Sequence, residues 1–442
     1  MLGDYTIKGR RASEIAADVE RAVNDGQLQP GSALPALRDL AVELGVNPNT
    51  VAAAYRLLRD RGVIETAGRK GSRVLPRPVT TPRDQIPVPV PPGARDLAAG
   101  NPDPALLPPL APALAVAAAA ADAAPTLYGH PVADPALLAL ARAGFLADGV
   151  PDGELAVCSG ALDAIGRILN SRLRPGDSVA IEDPGWGSLI DQLPALGLRP
   201  APVRLDDEGP LPDSLAAALA AGARAVVVTV RAQNPTGAAL TPGRAAALRE
   251  VLARHPEVLV IADDHGHGIV TQAHQSLAGV TEAWAVVRSA AKAYGPDLRL
   301  ATVMGDAGTV GRVLGRQRLD SGWVSLLLQR TVAELWRSGA AAGVAEVYQA
   351  RRDALLAALA VHGIAAHGAS GLNVWVPVAE EAGAIAAMAQ RGWVAAPGAR
   401  YRIQSPPAIR FTVSALPEAE APALAADLAA VLLPGRAGSR LV

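Results

Sequence analysis

A proline-rich stretch from residue 76 to residue 92 limits what this chain can fold into more than any other feature. Seven of its seventeen residues are proline, and proline lacks the backbone N–H that a helix interior or a central strand requires. We therefore predict a stiff, partly extended linker over residues 76–94, with separate domains over residues 1–75 and 95–442. The length of 442 residues agrees, because it exceeds what one ordinary hydrophobic core organises. Coupling between the two sides would then pass through docking or dimer geometry, not through a continuous helix.

The two sides of the linker differ in charge. Residues 1–78 contain 12 Lys and Arg against 9 Asp and Glu, a net charge of +3, whereas the remaining residues contain 29 against 33, a net charge of −4. A basic N-terminal part favours a nucleic-acid partner. The chain has no apolar run of membrane-spanning length and no signal-peptide pattern, which favours a cytoplasmic protein. The single cysteine, Cys158, excludes an internal disulfide and a multi-cysteine metal site.

Three short helices are predicted in the N-terminal part. The first begins at the capping residue Ser13 and ends at Gly26, and the second covers residues 35–44. The third has Asn47 as its N-cap and Pro48 at its first position, where the missing N–H costs nothing. Apolar residues at helical spacing are expected to face one core; they are Ile15, Val19, Val23, Leu37, Leu40, Leu44, Val51, Tyr55 and Leu58.

The second and third helices, joined by a turn that contains glycine, follow the helix-turn-helix pattern. Two strands around a basic tip at residues 68–71 complete a wing suited to a phosphate backbone or minor groove. Residues 8–75 resemble the winged helix-turn-helix of GntR-family regulators at Pro30-Gly31, Leu34-Pro35, Arg38-Asp39-Leu40-Ala41 and Asn49-Thr50-Val51. The resemblance implies that double-stranded DNA is contacted by Arg38, Asn47, Asn49, Thr50, Arg69 and Lys70. A small helical domain that docks a protein remains the alternative.

Lysine is rare in this chain. Of 41 basic residues only Lys8, Lys70 and Lys292 are lysine, so Lys292 is the single lysine after the linker. A Schiff base requires a primary amine that can lose its proton, which guanidinium does not provide. Lys292 is therefore the first candidate for chemistry, although one lysine in a large domain can also arise by chance.

After residue 95, short apolar runs alternate with Ala/Leu-rich helical stretches. The runs cover residues 179–182, 225–230, 258–262 and 285–287, a pattern typical of a mostly parallel sheet with helices on both faces. Ligands in such sheets bind at the carboxyl ends of the strands. The candidate motifs at these ends are Ser159-Gly160-Ala161-Leu162, Glu182-Asp183-Pro184-Gly185-Trp186, Asn234-Pro235-Thr236-Gly237, Asp263-Asp264-His265, and Ser289, Lys292 and Arg299 around a turn.

Together these motifs resemble the fold-type I aminotransferases, which depend on pyridoxal 5′-phosphate (PLP), over residues 95–430. Behind a GntR-like domain and a linker, the arrangement resembles the MocR subfamily of GntR regulators. The resemblance implies a multidomain protein with a mainly α winged helix-turn-helix, an α/β PLP-binding domain over residues 95–305 and a small α+β domain over residues 306–442. It also implies a homodimer, because aminotransferases of this type build their site across a dimer interface.

The same resemblance assigns roles around the cofactor ring. Lys292 should carry PLP as a Schiff base, and Asp263 should hold the pyridine nitrogen protonated, which makes the ring an electron sink. Asn234 should bind the phenolic oxygen, and Trp186 should stack on the ring. Trp186 as plain core filler remains an alternative.

The phosphate and the ligand carboxylate are assigned to other residues. The resemblance implies a phosphate site made by Ser289, Arg299, the amides of Gly160, Ala161 and Leu162, and Tyr128 from a second subunit. Arg410 matches the arginine that grips a substrate carboxylate. A structural ion pair for Arg410, and Arg402 as a rival anchor, remain open.

Two residues depart from the family pattern. His265 stands where tyrosine is usual; it can still donate to the phenolic oxygen but titrates near neutrality. Ala291 replaces the serine usual before the lysine. A metal cluster formed by Asp263, Asp264, His265 and His267 is not expected, because only alternate side chains of a strand share a face and no distant ligand is evident.

The function expected from these residues is transcription control that responds to PLP itself or to a small amine or amino acid bound through PLP. The first alternative is an active PLP-dependent aminotransferase fused to a DNA-binding domain. The second is a regulator whose C-terminal domain has lost the cofactor and serves for dimerisation. The effector, the operator, the sign of regulation and any remaining transamination activity are not fixed by the sequence.

Overall fold

The computed structural model describes residues 5–60, 63–66, 71–74 and 81–433. The chain forms two compact units: the first contains residues 1–82, 173–179 and 191–200, and the second contains residues 83–172, 180–190 and 201–442. Among the described residues, no helix is both long and apolar enough to cross a lipid bilayer.

The N-terminal unit is a three-helix domain with a strand pair. Its helices and strands are α1 (Ala12–Asn24), α2 (Leu37–Leu44), α3 (Pro48–Asp60), β1 (Ile64–Thr66) and β2 (Ser72–Val74). The strands pair antiparallel, with Ile64 opposite Val74. The predicted winged helix-turn-helix is therefore confirmed, except that the basic tip with Arg69 and Lys70 lies outside the described residues.

Two local expectations for this unit were wrong. The first helix begins before Ser13, at Ala12, and the Glu14 carboxylate accepts hydrogen bonds from the backbone N–H groups of Arg10 and Arg11 at 3.0 and 3.3 Å. Leu37 is 39 % exposed because it starts α2 at the rim of the core. The other predicted core positions are buried or pack against the cluster, and Asn47 caps α3 by accepting from the N–H of Asn49 at 2.8 Å.

The remaining elements follow residue 82 in the chain, and most of them lie in the second unit. The strands are β3 (Arg95–Asp96), β4 (Glu154–Cys158), β5 (Ser178–Asp183), β6 (Arg199–Asp206), β7 (Gly209–Pro210), β8 (Ala223–Thr229), β9 (Leu259–Asp264), β10 (Ala283–Ser289), β11 (Ala301–Gly305), β12 (Asn373–Pro377), β13 (Trp393–Val394), β14 (Ala396–Pro397) and β15 (Ala408–Thr412). The helices are α4 (Ala111–Ala123), α5 (Pro135–Ala147), α6 (Ala161–Arg172), α7 (Gly187–Ala195), α8 (Pro212–Ala220), α9 (Pro242–Leu252), α10 (Ala291–Tyr294), α11 (Ala307–Leu319), α12 (Leu326–Arg337), α13 (Val344–Val361), α14 (Glu381–Gln390) and α15 (Ala421–Leu432).

An eight-stranded sheet organises most of this unit, in the order β4-β11-β10-β9-β8-β5-β6-β7. The central strands β8, β9 and β10 are parallel, and β11 and β4 add antiparallel pairs at one side. Every residue of β9 and β10 is buried, as expected for central strands covered on both faces. The carboxyl ends of the parallel strands therefore meet at one edge, which is where the candidate motifs lie.

A smaller sheet follows, in the order β12-β15-β14, with antiparallel pairing. Helices α13, α14 and α15 share a hydrophobic core with it. Helix α11 packs on α6, and α12 packs on α4 and α5. The layer around the large sheet thus continues to Arg337, beyond residue 305, where the sequence predicts it to end.

The linker also differs from its predicted extent. Residues 83–85 form a turn of 3₁₀ helix within the second unit. Strand β3, at the predicted start of the large domain, pairs in parallel with β13, and Arg95 forms an ion pair with Glu420. Proline content alone did not reveal these contacts, because they are made with residues more than 100 positions away in the chain.

Candidate functional site

The carboxyl edge of the large sheet brings several predicted site residues together. Trp186 and Asp263, which follow or end different strands, line one small internal cavity together with Glu182 and Thr229. Lys292 lies on the short helix that follows β10. Strand order, which places β5, β8, β9 and β10 side by side, produces this grouping from residues far apart in the sequence.

Asp263 has one satisfied and one unsatisfied carboxylate oxygen. Its Oδ2 lies 2.7 Å from His265 Nδ1, whereas Oδ1 is buried and has no hydrogen-bond partner among the described residues. A buried acceptor without a partner costs free energy. The protonated pyridine nitrogen of PLP is a donor of the kind that this oxygen lacks, so this residue fits the cofactor.

Lys292 carries an amine that is easily deprotonated. Its Nζ donates a hydrogen bond to the Gly100 carbonyl oxygen at 2.7 Å. Burial lowers the pKa of Lys292 to about 8, and the positive charge of Arg410 adds to that effect, while Asp84 opposes it. A neutral amine is the form that reacts with an aldehyde, so the environment of Lys292 suits Schiff-base formation.

Asn234 and Arg410 form one hydrogen-bonded unit. Arg410 Nη1 donates to Asn234 Oδ1 at 2.8 Å, and Arg410 Nη2 donates to the Ala98 carbonyl at 2.6 Å. Because Asn234 uses its oxygen for Arg410, its amide NH₂ group is the part left to donate to a phenolic oxygen. Arg410 is 3 % exposed and lies 4.6 Å from the Tyr401 ring centroid.

The residues predicted to bind the phosphate meet at the start of α6. Arg299 Nη2 donates to the Ser159 carbonyl at 3.1 Å, and a Cβ placed on Gly160 would lie 3.1 Å from the same Nη2. Ala161 and Leu162 are the first residues of this 12-residue helix, whose N-terminal dipole favours negative charge. Ser289 is the buried last residue of β10, and its Oγ accepts from the Ala291 N–H at 3.2 Å.

His265 does not take the position that the sequence led us to expect. Its Nε2 lies 2.8 Å from the Ala232 carbonyl oxygen and its Nδ1 faces Asp263, so both ring nitrogens are used. The expected donor to the phenolic oxygen is therefore absent from this conformation. Burial alone would lower the pKa of His265, but the charge of Asp263 and the hydrogen bond to it outweigh burial and raise that pKa. His265 acts as a partner of the carboxylate.

Two further predicted residues lie apart from this group. Tyr128 is 92 % exposed and packs edge-on against Trp323 at 5.8 Å, so its role toward a second subunit stays a prediction. Arg402 is not a free rival anchor, because its Nε donates to Glu381 at 2.9 Å.

A buried charge cluster that no sequence motif indicates lies next to the site. Asp264 accepts from Arg231 at 2.7 and 3.1 Å and from Arg288 at 2.9 Å, and both arginines also reach Asp148. His267 lies close to both carboxylates, so a distant potential metal ligand, Asp148, does exist. Because the two arginines already neutralise the two carboxylates, the group is better described as an ion-pair network. Only the fold brings these residues together, so no local signal could have shown them.

Glu182 belongs to one of the strand-end motifs, but the sequence predicts no role for it. Its carboxylate accepts from the backbone N–H and the hydroxyl of Thr229, both at 2.9 Å, and from Gln233 at 3.1 Å. Burial raises the pKa of Glu182 to about 7, although these hydrogen bonds oppose the rise.

The predicted DNA-contacting residues of the N-terminal unit lie near the start of α2 and α3. Arg38, Asn47 and Asn49 are exposed and Thr50 is half-buried. The first turn of α3 therefore presents polar side chains to solvent, as a recognition helix requires.

Comparison with known proteins agrees with a division of the chain into a DNA-binding part and an aminotransferase-like part. Residues 11–74 match the gntR family of bacterial regulatory proteins, and residues 95–428 match the class I and II aminotransferase family. The chain is 40 % identical over 432 residues to the vitamin B6 salvage pathway transcriptional repressor PtsJ of Salmonella typhimurium, which covers 96 % of this chain and 98 % of that protein. It is 29 % identical over 261 residues to the pyridoxine biosynthesis transcriptional regulator PdxR of Corynebacterium glutamicum, covering 57 % of this chain and 56 % of that protein.

Solved structures support the fold of the second unit. Aspartate aminotransferase from Thermus thermophilus, solved with maleate, is similar with a TM-score of 0.66 and 23 % identity, covering 76 % of this chain and 91 % of that one. The multiple-substrate aminotransferase of Thermococcus profundus gives a TM-score of 0.68 at 20 % identity, covering 77 % and 92 %. At these identities the similarity establishes the aminotransferase fold and nothing finer.

Proposed function

The chain belongs to the MocR-type GntR regulators, in which a GntR DNA-binding unit precedes a domain of the class I and II aminotransferase family, and from this premise we propose that it binds PLP on Lys292 and that PLP is its signal. The bound PLP would change the affinity of the protein for its operator. A homodimer is part of the proposal, and the exposed Tyr128 is available to reach the site of a second subunit.

One observation carries the cofactor assignment. Asp263 Oδ1 is buried without a partner in the described part of the chain, in a cavity that it shares with Trp186. When bound, PLP would supply an electron-withdrawing ring. Asp263 would hold the ring nitrogen, Trp186 would cover a face, the Asn234 amide would hold the phenolic oxygen, and Arg299 with the start of α6 would hold the phosphate.

Two observations favour PLP itself as the signal. The relatives PtsJ and PdxR are named for vitamin B6 salvage and pyridoxine biosynthesis. In addition, both Nη atoms of Arg410 already donate to Asn234 and Ala98 within the chain. These two hydrogen bonds hold Arg410 and Asn234 in place, so this side of the proposed ring site is ordered before any amino acid provides a carboxylate. A small amine or amino acid bound through PLP remains the alternative effector.

The test is a titration of PLP-free protein with PLP, with two readings. We expect a near-visible absorbance band from the lysine-bound cofactor and, over the same concentration range, a change in affinity for the DNA upstream of its own gene. A band without any change in DNA affinity would overturn PLP as the signal. Repeating the DNA measurement with amino acids present separates the two effectors.

A second candidate function is transamination. The placement of Arg410 beside Asn234 favours it, because a buried arginine with an unpartnered Nε among the described residues can still bind a carboxylate. Turnover of any simple amino acid at about 1 per second or faster, which lies in the ordinary range of enzymes, would favour this function. We expect product to accumulate much more slowly, since His265 gives no hydrogen bond to the phenolic oxygen.

A further inference from the structure

The first residues of the second unit form a turn against the proposed ring site. Residues 83–85 form one turn of 3₁₀ helix, followed by Ile86. We name residues 83–86 the linker turn. It lies in a stretch whose sequence predicts only a spacer, yet each of its ends is hydrogen-bonded to residues next to the site.

On one side, the linker turn caps the helix that follows Trp186. Both Asp84 carboxylate oxygens lie 2.7 Å from Ser188 Oγ, and Oδ2 also accepts from the Ser188 backbone N–H at 3.3 Å. Ser188 is the second residue of α7, and Trp186 immediately precedes that helix. A carboxylate at a helix N-terminus binds the free N–H groups and complements the dipole. Asp84 therefore fixes the start of α7 and, with it, the backbone of Trp186.

On the other side, the linker turn is bonded to the segment that packs on Arg410. Arg400 Nη2 donates to the Ile86 carbonyl oxygen. The next residue, Tyr401, supplies the ring beneath the Arg410 guanidinium, and its carbonyl accepts from the Gly185 N–H at 2.6 Å. The linker turn thus connects the segment of Trp186 to the segment that packs on Arg410, the two sides of the proposed PLP site.

The carboxylate of Asp84 also adds negative charge near the proposed PLP site. Its charge acts on Lys292, opposing the fall of the lysine pKa, and it acts in the same direction on the phenol of Tyr401. A charge that shifts the pKa values of both Lys292 and Tyr401 must lie near both side chains. The carboxylate therefore belongs to the electrostatic surroundings of the site as well as to its frame.

We propose that Asp84 is a positioning residue that couples ligand binding to the linker through its contact with Ser188. The inference rests on the proposed function. Trp186 would contact bound PLP, and a displacement of the start of α7 on binding would pass through Ser188 to Asp84 and the linker turn. Such coupling requires an element that contacts both the linker and the side chains that line the proposed PLP site.

The experiment compares full-length variants by three measurements. These are PLP affinity from the absorbance band, circular dichroism of that band, and affinity for the DNA upstream of its own gene with and without PLP. The variants are Asp84→Asn, which removes the charge, Asp84→Glu, which keeps it, and Ser188→Ala. Gln85→Ala is the control, since Gln85 is the exposed neighbour in the same turn. Thermal unfolding checks that each variant folds.

In the wild type we expect PLP to change DNA affinity by roughly 10-fold, within the usual range of allosteric coupling. Asp84→Asn should reduce that factor to about 2 and weaken the dichroism of the cofactor band, because Trp186 is less firmly oriented, while DNA affinity without PLP is kept. Asp84→Glu should restore most of the coupling. The double variant Asp84→Asn/Ser188→Ala should be little worse than Asp84→Asn, because both substitutions weaken the same contact and their effects are then not additive.

The measurements distinguish a failure of the role proposed for Asp84 from a failure of the proposed function. If PLP changes DNA affinity equally in the wild type and in Asp84→Asn, the role of Asp84 is refuted and the proposed function stands. If PLP has no effect on DNA affinity in the wild type, the proposed function itself fails. Equal loss of coupling in Gln85→Ala and Asp84→Asn would also refute the role of the carboxylate.

Discussion

Replacing Gly160 by alanine should separate cofactor binding from folding. Gly160 has a φ of +95°, which L-residues rarely adopt, and an added Cβ would lie 3.1 Å from Arg299 Nη2. Gly222 offers a matched control, because its φ is +96° and an added Cβ would have nothing within 4 Å. Both substitutions strain the backbone equally, but only Gly160→Ala intrudes on the proposed phosphate site.

The size of the effect follows from these contacts. The strained φ should cost either variant about 1–3 kcal/mol in the free energy of unfolding. In Gly160→Ala the guanidinium must also move away from the new methyl group, since carbon contacts are normally about 3.5–4.0 Å. Losing one charged hydrogen bond to the phosphate costs about 2 kcal/mol, which corresponds to a roughly 30-fold weaker Kd for PLP.

The assay is a PLP titration of both variants, followed by absorbance, together with urea unfolding of the PLP-free proteins. We expect similar losses of stability in Gly160→Ala and Gly222→Ala, and weaker PLP binding in Gly160→Ala alone. If the two variants bind PLP with the same Kd, the phosphate does not lie at the start of α6, and that part of the site is wrong.

Three further outcomes are expected. Lys292→Ala should abolish the near-visible band and its reduction by borohydride; an unchanged band would mean that another amine holds the cofactor. Thr50→Ala should weaken DNA binding by about 1–3 kcal/mol if the residue contacts a base, and wild-type binding should fall steeply with salt; gel-shift titrations measure both, and equal affinity in the variant would remove Thr50 from the interface. Burial raises the pKa of Glu182 from 4.5 to about 7, so its contribution to stability should be complete below pH 4.5 and lost as the pH rises to about 7. Urea unfolding should therefore show a steeper decline over that interval in the wild type than in Glu182→Gln, and parallel curves would contradict the shift.

The sequence predicted those parts of the molecule that depend on local patterns. Strand ends in a parallel sheet share one edge, so Asp263 and Trp186 could be expected near each other from their positions after apolar runs. Helix caps are equally local, and Asn47 behaves as predicted. The rarity of lysine singled out Lys292 before any neighbour was considered.

The parts that the sequence did not predict depend on distant contacts. Asp84 lies 104 positions from its partner Ser188, and nothing in a proline-rich stretch distinguishes a carboxylate that caps a helix from one that faces water. His265 was assigned by analogy with a tyrosine, but an imidazole has two nitrogens, and a neighbouring carboxylate and a carbonyl take both. The choice among acceptors is made by the fold, not by the residue type.

The ion-pair network beside the site restricts how this protein can change over generations. Asp264 and Arg288 are 0 % and 1 % exposed, and Arg231 is 6 % exposed, so replacing one of them leaves a buried charge uncompensated, at about 3–5 kcal/mol. That loss is comparable to much of the stability of an ordinary domain. Substitutions here are therefore viable only in matched sets, such as an arginine and its aspartate together. Natural variants should accordingly hold either the whole set or an apolar replacement of it, with mixed forms scarce.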